Sequence, residues 1–211
     1  MTPATTSPLD LSPVIPVVVL RDAAHAVPLA QALAAGGIRT IEITLRSEAA
    51  LEGVRRIAEE VPEMAVGVGT LTTPRQVNEA VAAGARFLVS PGCTPRLMYA
   101  MTDSGIPFLP GVATVSEVLT LLERGIHEMK FFPAEAAGGA DYLKSIAGPL
   151  PQVRFCPTGG ITPAGAPKYL ALPNVGCVGG SWLAPADALE SGDWARIKQL
   201  ATEAAALTPS R

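Results

Sequence analysis

Ile41-Glu42-Ile43-Thr44-Leu45-Arg46 alternates strictly, with Ile41, Ile43 and Leu45 on one side and Glu42, Thr44 and Arg46 on the other. A period of two marks a β-strand whose faces meet different surroundings. On an edge strand of an open sheet, the polar face is simply wet. In a barrel every strand is covered outside by helices. The apolar set then faces the helices, and a carboxylate, a hydroxyl and a guanidinium line the interior.

The rest of the chain supplies more strands of this kind. Short β-rich runs lie at Val14–Leu20, Thr40–Leu45, Ala65–Gly69, Phe87–Val89, Phe108–Leu109, Glu128–Phe132, Gln152–Pro157 and Val175–Gly179. Helical patterns fall between them. Ala24–Ala35 stops at Gly36-Gly37, and Glu48–Glu60 stops before Pro62. Pro74–Ala83 follows a Thr73 cap and ends at Gly84, Ser116–Arg124 ends at Gly125, and a last helix runs from Asp193 to Leu207. Eight strand–helix units at a spacing of about 20 to 25 residues predict an α/β fold of the (β/α)8 TIM-barrel type. An open doubly wound sheet is the alternative, and it usually announces itself by one glycine-rich first turn. Here the unusual residues follow many strands: Arg46, Thr70, Pro91, Gly111, Pro133, Thr158-Gly159-Gly160 and Gly179-Gly180-Ser181. A closed barrel gathers all of those strand ends around one mouth.

At 211 residues and 48% hydrophobic, the chain can bury one sizeable core. Two domains of about 100 residues fit the length, yet no linker or shift in composition separates them. The expectation is one barrel domain over residues 1–211, with residues 1–12 a tail or short helix and 193–207 a C-terminal helix. Sixteen Lys and Arg against 19 Asp and Glu give a net charge of −3, and the basic residues are scattered. No nucleic-acid or membrane partner is therefore expected. Val14–Leu20 is broken by Pro16 and falls far short of the ~20 residues of a membrane helix. The Thr/Pro/Ser-rich start lacks the basic-then-apolar design of a signal peptide, so a cytoplasmic location is expected.

Cys93, Cys156 and Cys177 are odd in number and widely spaced, forming neither a disulfide framework nor a CxxC knuckle. His25 and His127 have no partner at HxxxH spacing. A site built on several histidines is unavailable, and neither metal nor cofactor is expected.

Glu128-Met129-Lys130-Phe131-Phe132-Pro133 sets a lysine in an otherwise apolar strand. With Phe131 packed under the helices, Lys130 points inward. Withdrawal from water disfavours an ammonium and leaves the neutral amine, the form that attacks a ketone to make a Schiff base. A lysine snorkelling from a strand end fits this strand alone equally well. Glu42 offers a general acid/base, and Arg46 a planar fork for a substrate carboxylate. Thr70 closes the third strand with a hydroxyl for a carboxylate or carbonyl, and reads equally well as a helix cap. The turns Thr158-Gly159-Gly160 and Gly179-Gly180-Ser181 follow consecutive late strands, where barrels often hold a phosphate on backbone N–H groups. Each Gly-Gly alone is an ordinary turn. Arg21, just past the first strand, is a further candidate for that phosphate.

These segments resemble the bacterial 2-keto-3-deoxy-6-phosphogluconate (KDPG) aldolase / 4-hydroxy-2-oxoglutarate (KHG) aldolase family. Its carriers are Ile41–Arg46, Gly67-Val68-Gly69-Thr70, Ser90-Pro91-Gly92, Leu109-Pro110-Gly111, Lys130-Phe131-Phe132-Pro133-Ala134-Glu135, Arg154–Gly160 and Gly179-Gly180-Ser181-Trp182. The resemblance spans Pro16 to about Gly192. It implies a metal-independent class I aldolase that releases pyruvate from a phosphorylated 2-keto sugar acid. Lys130 would be its Schiff-base lysine and Glu42 its acid/base. Arg46 and Thr70 would hold the carboxylate. Gly159, Gly160, Gly180 and Ser181, with Arg21 as a less secure member, would hold the phosphate. Pro91 and Phe132 would line the site. Thr158 resembles the residue associated with the gluconate-configured substrate, where a relative acting on the galactonate epimer tends to carry valine. A homotrimer is implied as well. Cys93 and Val112-Ala113-Thr114 depart from the family pattern in loops that bear on substrate preference. Three rival activities remain open on the sequence. One is the same chemistry on 4-hydroxy-2-oxoglutarate or the galactonate epimer. Another is a phosphate-binding barrel that makes no covalent intermediate, and the third is a metal-dependent aldolase.

Overall fold

A computed structural model of the chain describes residues 6–208. Of the tail expected over residues 1–12, residues 1–5 lie outside the described residues, as do 209–211. Pro8–Asp10 forms a 3-10 turn, capped by the Ser7 hydroxyl, which accepts from the Leu9 N–H.

Strands and helices then alternate. They are β1 (Val14–Val18), α1 (Ala26–Ala35), β2 (Thr40–Thr44), α2 (Ala50–Glu60), β3 (Ala65–Gly69), α3 (Pro74–Ala82), β4 (Phe87–Val89) and α4 (Pro95–Asp103). The series continues with β5 (Phe108–Leu109), β6 (Gly111–Val112), α5 (Val115–Leu122), β7 (Glu128–Phe131), α6 (Gly139–Ala147) and β8 (Arg154–Pro157). It ends with α7 (Ala166–Leu170), β9 (Val178–Gly180), α8 (Ala186–Ser191) and α9 (Trp194–Ala205).

The fold is α/β with parallel strands throughout. A curled six-stranded sheet runs β5-β4-β3-β2-β1-β9, and a three-stranded sheet runs β6-β7-β8. Isolated parallel bridges join Phe155 to Val175 and Thr158 to Gly179. The fifth strand is Phe108–Leu109, as read from sequence, and a further short strand, Gly111–Val112, follows Pro110, which has no N–H to give to a ladder. The last strand starts three residues later than read, at Val178, where the ladder with Val14 begins.

Side-chain alternation sorts the core into two clusters. Ile41, Ile43, Met129 and Phe131 face outward and join the helices in the larger one. A separate cluster is built from the opposite strand faces: Ile15, Phe87, Val89, Leu109, Cys156 and Cys177, with Leu9 from the N-terminal turn. At that end Arg154 pairs with Asp10 and Glu128, and Ser7 donates to Glu128. Helix starts follow local chemistry. Thr73 opens α3 and Thr114 opens α5 through capping boxes with Gln76 and Glu117, and Thr94 caps α4. No helix among the described residues is long and apolar enough to cross a membrane.

Candidate active site

Lys130 is 6% exposed in β7, between Gly111 of β6 and Cys156 of β8. Its neighbours Met129 and Phe131 are buried in the helix-facing layer, so alternation alone turns Lys130 to the other face. The backbone is held in register by the Lys130 N–H, which donates to Pro110 O at 3.0 Å. Across the interior, Glu42 is 3% exposed in β2, paired with Val17 of β1 and Gly67 of β3. Lys130 Nζ donates to Glu42 Oε1 at 3.4 Å. The Phe132 ring centroid lies 5.3 Å from the same Nζ, within cation–π range. Removing one member of such a buried pair costs about 3–5 kcal/mol, because the other charge is left uncompensated.

Thr44 shares the inward face, but its hydroxyl donates to Val18 O at 2.9 Å, tying β2 to β1. A pocket of about 170 Å³ opens at the C-terminal ends of the strands. Of the residues expected from sequence, Arg46, Phe132, Thr158, Gly159, Gly160, Gly180 and Ser181 line it. Gly179, from the Gly179-Gly180-Ser181 turn, also lines it, as do Val17 of β1 and Ile161 after the glycine turn, which had no distinguishing signal. Gly159 (φ 106°) and Gly160 (φ 80°) take left-handed backbone, which permits the turn to expose main chain. Thr158 O and Gly159 O accept from the N–H groups of Ala134 and Glu135, pinning that turn beside the end of β7.

Thr70 and Pro91 follow β3 and β4 at the same end, half-buried and off this pocket wall. Thr70 caps no helix, a role taken by Thr73. It carries φ 64°, the only non-glycine with positive φ among the described residues. Arg21 stands off this pocket. Leu20 turns into the core, so Arg21 turns out, exposed, and lines a separate recess with Asp22, His25 and Glu190. His25 packs edge-on to Trp194, their centroids 5.5 Å apart.

Burial pushes the Cys177 thiol well up, and pushes half-buried Cys93 to about 11. Tyr169 is likewise raised, first by burial and then by its hydrogen bond to Glu135, which engages that carboxylate in fastening α7. Among the described residues, no three His, Cys, Asp or Glu side chains gather in metal-binding range.

Fold and constellation define an enzyme class: a carbonyl-directed lysine enzyme whose amine meets a carboxylate at the mouth of a parallel α/β sheet. The chain belongs to the aldolase family described as KDPG and KHG aldolase, whose profile matches residues 6–200. The KHG/KDPG aldolase of Escherichia coli K12 is 56% identical over 196 residues, 93% of this chain and 92% of that protein. The KDPG aldolase of Legionella pneumophila, with pyruvate captured at low pH as a covalent carbinolamine, superposes with a TM-score of 0.92 at 47% identity. That match covers 94% of this chain and 96% of the other. The Zymomonas mobilis KDPG aldolase with 3-phosphoglycerate matches with a TM-score of 0.90 at 47% identity, covering 96% and 95%.

Proposed function

We propose that this chain cleaves 2-keto-3-deoxy-6-phosphogluconate to pyruvate and glyceraldehyde 3-phosphate as a class I aldolase, with Lys130 as the Schiff-base residue. The same site would split 4-hydroxy-2-oxoglutarate into pyruvate and glyoxylate, a reading favoured by the E. coli relative named for both substrates. The observation that carries the proposal is the buried contact of 3.4 Å between Lys130 Nζ and Glu42 Oε1.

Neutral Lys130 attacks the C2 ketone, and the carbinolamine loses water to give an iminium. Glu42, directly or through one water, takes the C4 hydroxyl proton. The C3–C4 electrons flow into the iminium, the aldehyde leaves, and an enamine remains. Protonation at C3 and addition of water release pyruvate and regenerate the amine. Arg46 and Thr70 hold the carboxylate. The phosphate rests on the main chain of Gly159, Gly160 and Gly180 and on the Ser181 hydroxyl. Thr158 meets the sugar hydroxyls, with Phe132 and Pro91 at the edges.

The strands are read as one closed (β/α)8 barrel in a single domain. Support comes from the continuity of β5 and β6 through Pro110, the bridges from β8 to the β9 segment, and the strand-enclosed cluster around Phe87. The family's homotrimer and a cytoplasmic location complete the reading; a reducing compartment suits three free cysteines. Incubation with pyruvate and borohydride should add one reduced pyruvate unit to Lys130, found by peptide mapping. Full activity with an unmodified Lys130 would overturn the assignment.

A further inference from the structure

Gly69 has no group that could take part in the chemistry, yet it adjoins the centre of the site. It ends β3 opposite Thr44 of β2. A methyl carbon built on it would fall on Glu42 Oε1, 2.5 Å from Cδ and 2.7 Å from Cγ. Ordinary contact begins near 3.4 Å. The carboxylate of Glu42 therefore lies in the space that any other residue at 69 would fill. The oxygen seated there is also the one that meets Lys130 Nζ. Gly67, two residues earlier on the same strand face, makes room in the same way for a different group, the Phe87 ring, whose Cε1 would stand 2.5 Å from its methyl. The two glycines of Gly67-Val68-Gly69 thus serve different ends, one packing and one the active site.

We infer that Gly69 is a positioning residue for catalysis: its missing side chain is the seat that holds the Glu42 carboxylate against Lys130. This inference rests on the acid–base role proposed for Glu42. The backbone at 69 is ordinary β-strand with no positive φ, so alanine suits its conformation. The clash falls on the far end of a flexible side chain, which can swing away without moving the strand. Either direction of swing harms the reaction. Away from Lys130, the base loses reach to the substrate hydroxyl. Toward Lys130, the carboxylate crowds the amine that must reach the ketone.

The test is a double-mutant cycle on KDPG cleavage with Gly69→Ala, Glu42→Ala and both together, following kcat and KM from pH 5 to 9. Misplacing a catalytic group by about 1 Å costs roughly 100-fold, so Gly69→Ala should lower kcat by about 10- to 100-fold. KM should change less than about threefold, and the pH profile of kcat should move. In the Glu42→Ala background the same substitution should cost less than about twofold, since no carboxylate is left to displace. Any loss of melting temperature in Gly69→Ala should be recovered in the double variant, where the clash is gone. Equal costs in both backgrounds, or wild-type kcat in Gly69→Ala, would overturn the inference and leave the role of Glu42 standing. Wild-type kcat in Glu42→Ala would instead bring down the acid–base reading beneath it.

Discussion

Thr70 is the residue under most local tension. A β-branched side chain at φ 64° costs about 1–2 kcal/mol relative to ordinary backbone. Glycine there relieves that but makes the unfolded chain freer by roughly 0.5–1 kcal/mol. Thr70→Gly should therefore stabilise the protein by about 1 kcal/mol or less, seen as a higher urea midpoint. Its kcat/KM for KDPG should drop at least about tenfold if the proposed contact between its hydroxyl and the substrate carboxylate is lost. Cys93 offers a second check. With its thiol pushed to about 11 by burial, it is protonated at neutral pH. Alkylation by iodoacetamide should be slow at pH 7 and rise about tenfold per pH unit toward pH 11; rapid labelling at pH 7 would contradict that burial. Among these residues the sequence was most legible where period-two alternation applies. The opposed faces of Met129 and Lys130, and of Ile41 and Glu42, follow from it. What it could not disclose was which strand faces which across the interior: glycines in β3 imply room for a neighbour, and Glu42 and Lys130 are paired by role, yet neither their contact nor the occupant of the space at Gly69 was visible. Arg21 stands off the pocket for a local reason: Leu20 turns into the core beyond β1, and the next side chain turns out.

At the scale of elements, the capping boxes give the cleanest expectation. Glu117 accepts from the N–H groups of Ala113 at 2.7 Å and Thr114 at 2.8 Å, and these contacts hold its carboxyl below the ordinary value of 4.5. A carboxylate with a depressed folded pKa contributes stability that is complete above its unfolded pKa and fades as pH falls through the folded one. Glu117→Ala should thus lower stability by about 0.5–1 kcal/mol at pH 7, with the difference shrinking as pH falls below the ordinary carboxyl range in parallel urea titrations. Threonine caps followed by proline or a box glutamate are local signals, and α3 is accordingly plain in the sequence. The same signal at Thr94-Pro95 opens α4. Helix α6 hides because it starts on Gly138 and Gly139, both left-handed and easily read as a turn, and α7 is only five residues long. The extra strand β6 beyond Pro110 depends on its ladder with β7, a long-range matter that no local pattern encodes.

For the whole molecule, the cluster on the strand faces turned away from the helices and the N-terminal turn that reaches it set the terms. Leu9 is 2% exposed within that cluster, so Leu9→Ala should cost about 2–4 kcal/mol. KM should stay unchanged, because Leu9 lies with Asp10 and Arg154 at the opposite end from the pocket. Calorimetry with steady-state kinetics separates the two effects. The proposed trimer predicts a particle of three 21.7 kDa chains by light scattering; a monomer would count against it. Parallel α/β architecture was readable from the spacing of the strands, whereas Leu9 entering the interior was not, since one apolar residue among Thr, Pro and Ser carries no periodicity. Glu42 and Lys130 stand 88 residues apart in sequence, on strands of two different sheets, so the two sheets must come together before they touch. Recovery of pyruvate trapping after dilution from denaturant should then lag behind recovery of helical signal. The turnover of a refolding sample becomes a clock for its last assembled contact, and a preparation of any truncated intermediate, however helical, stays silent.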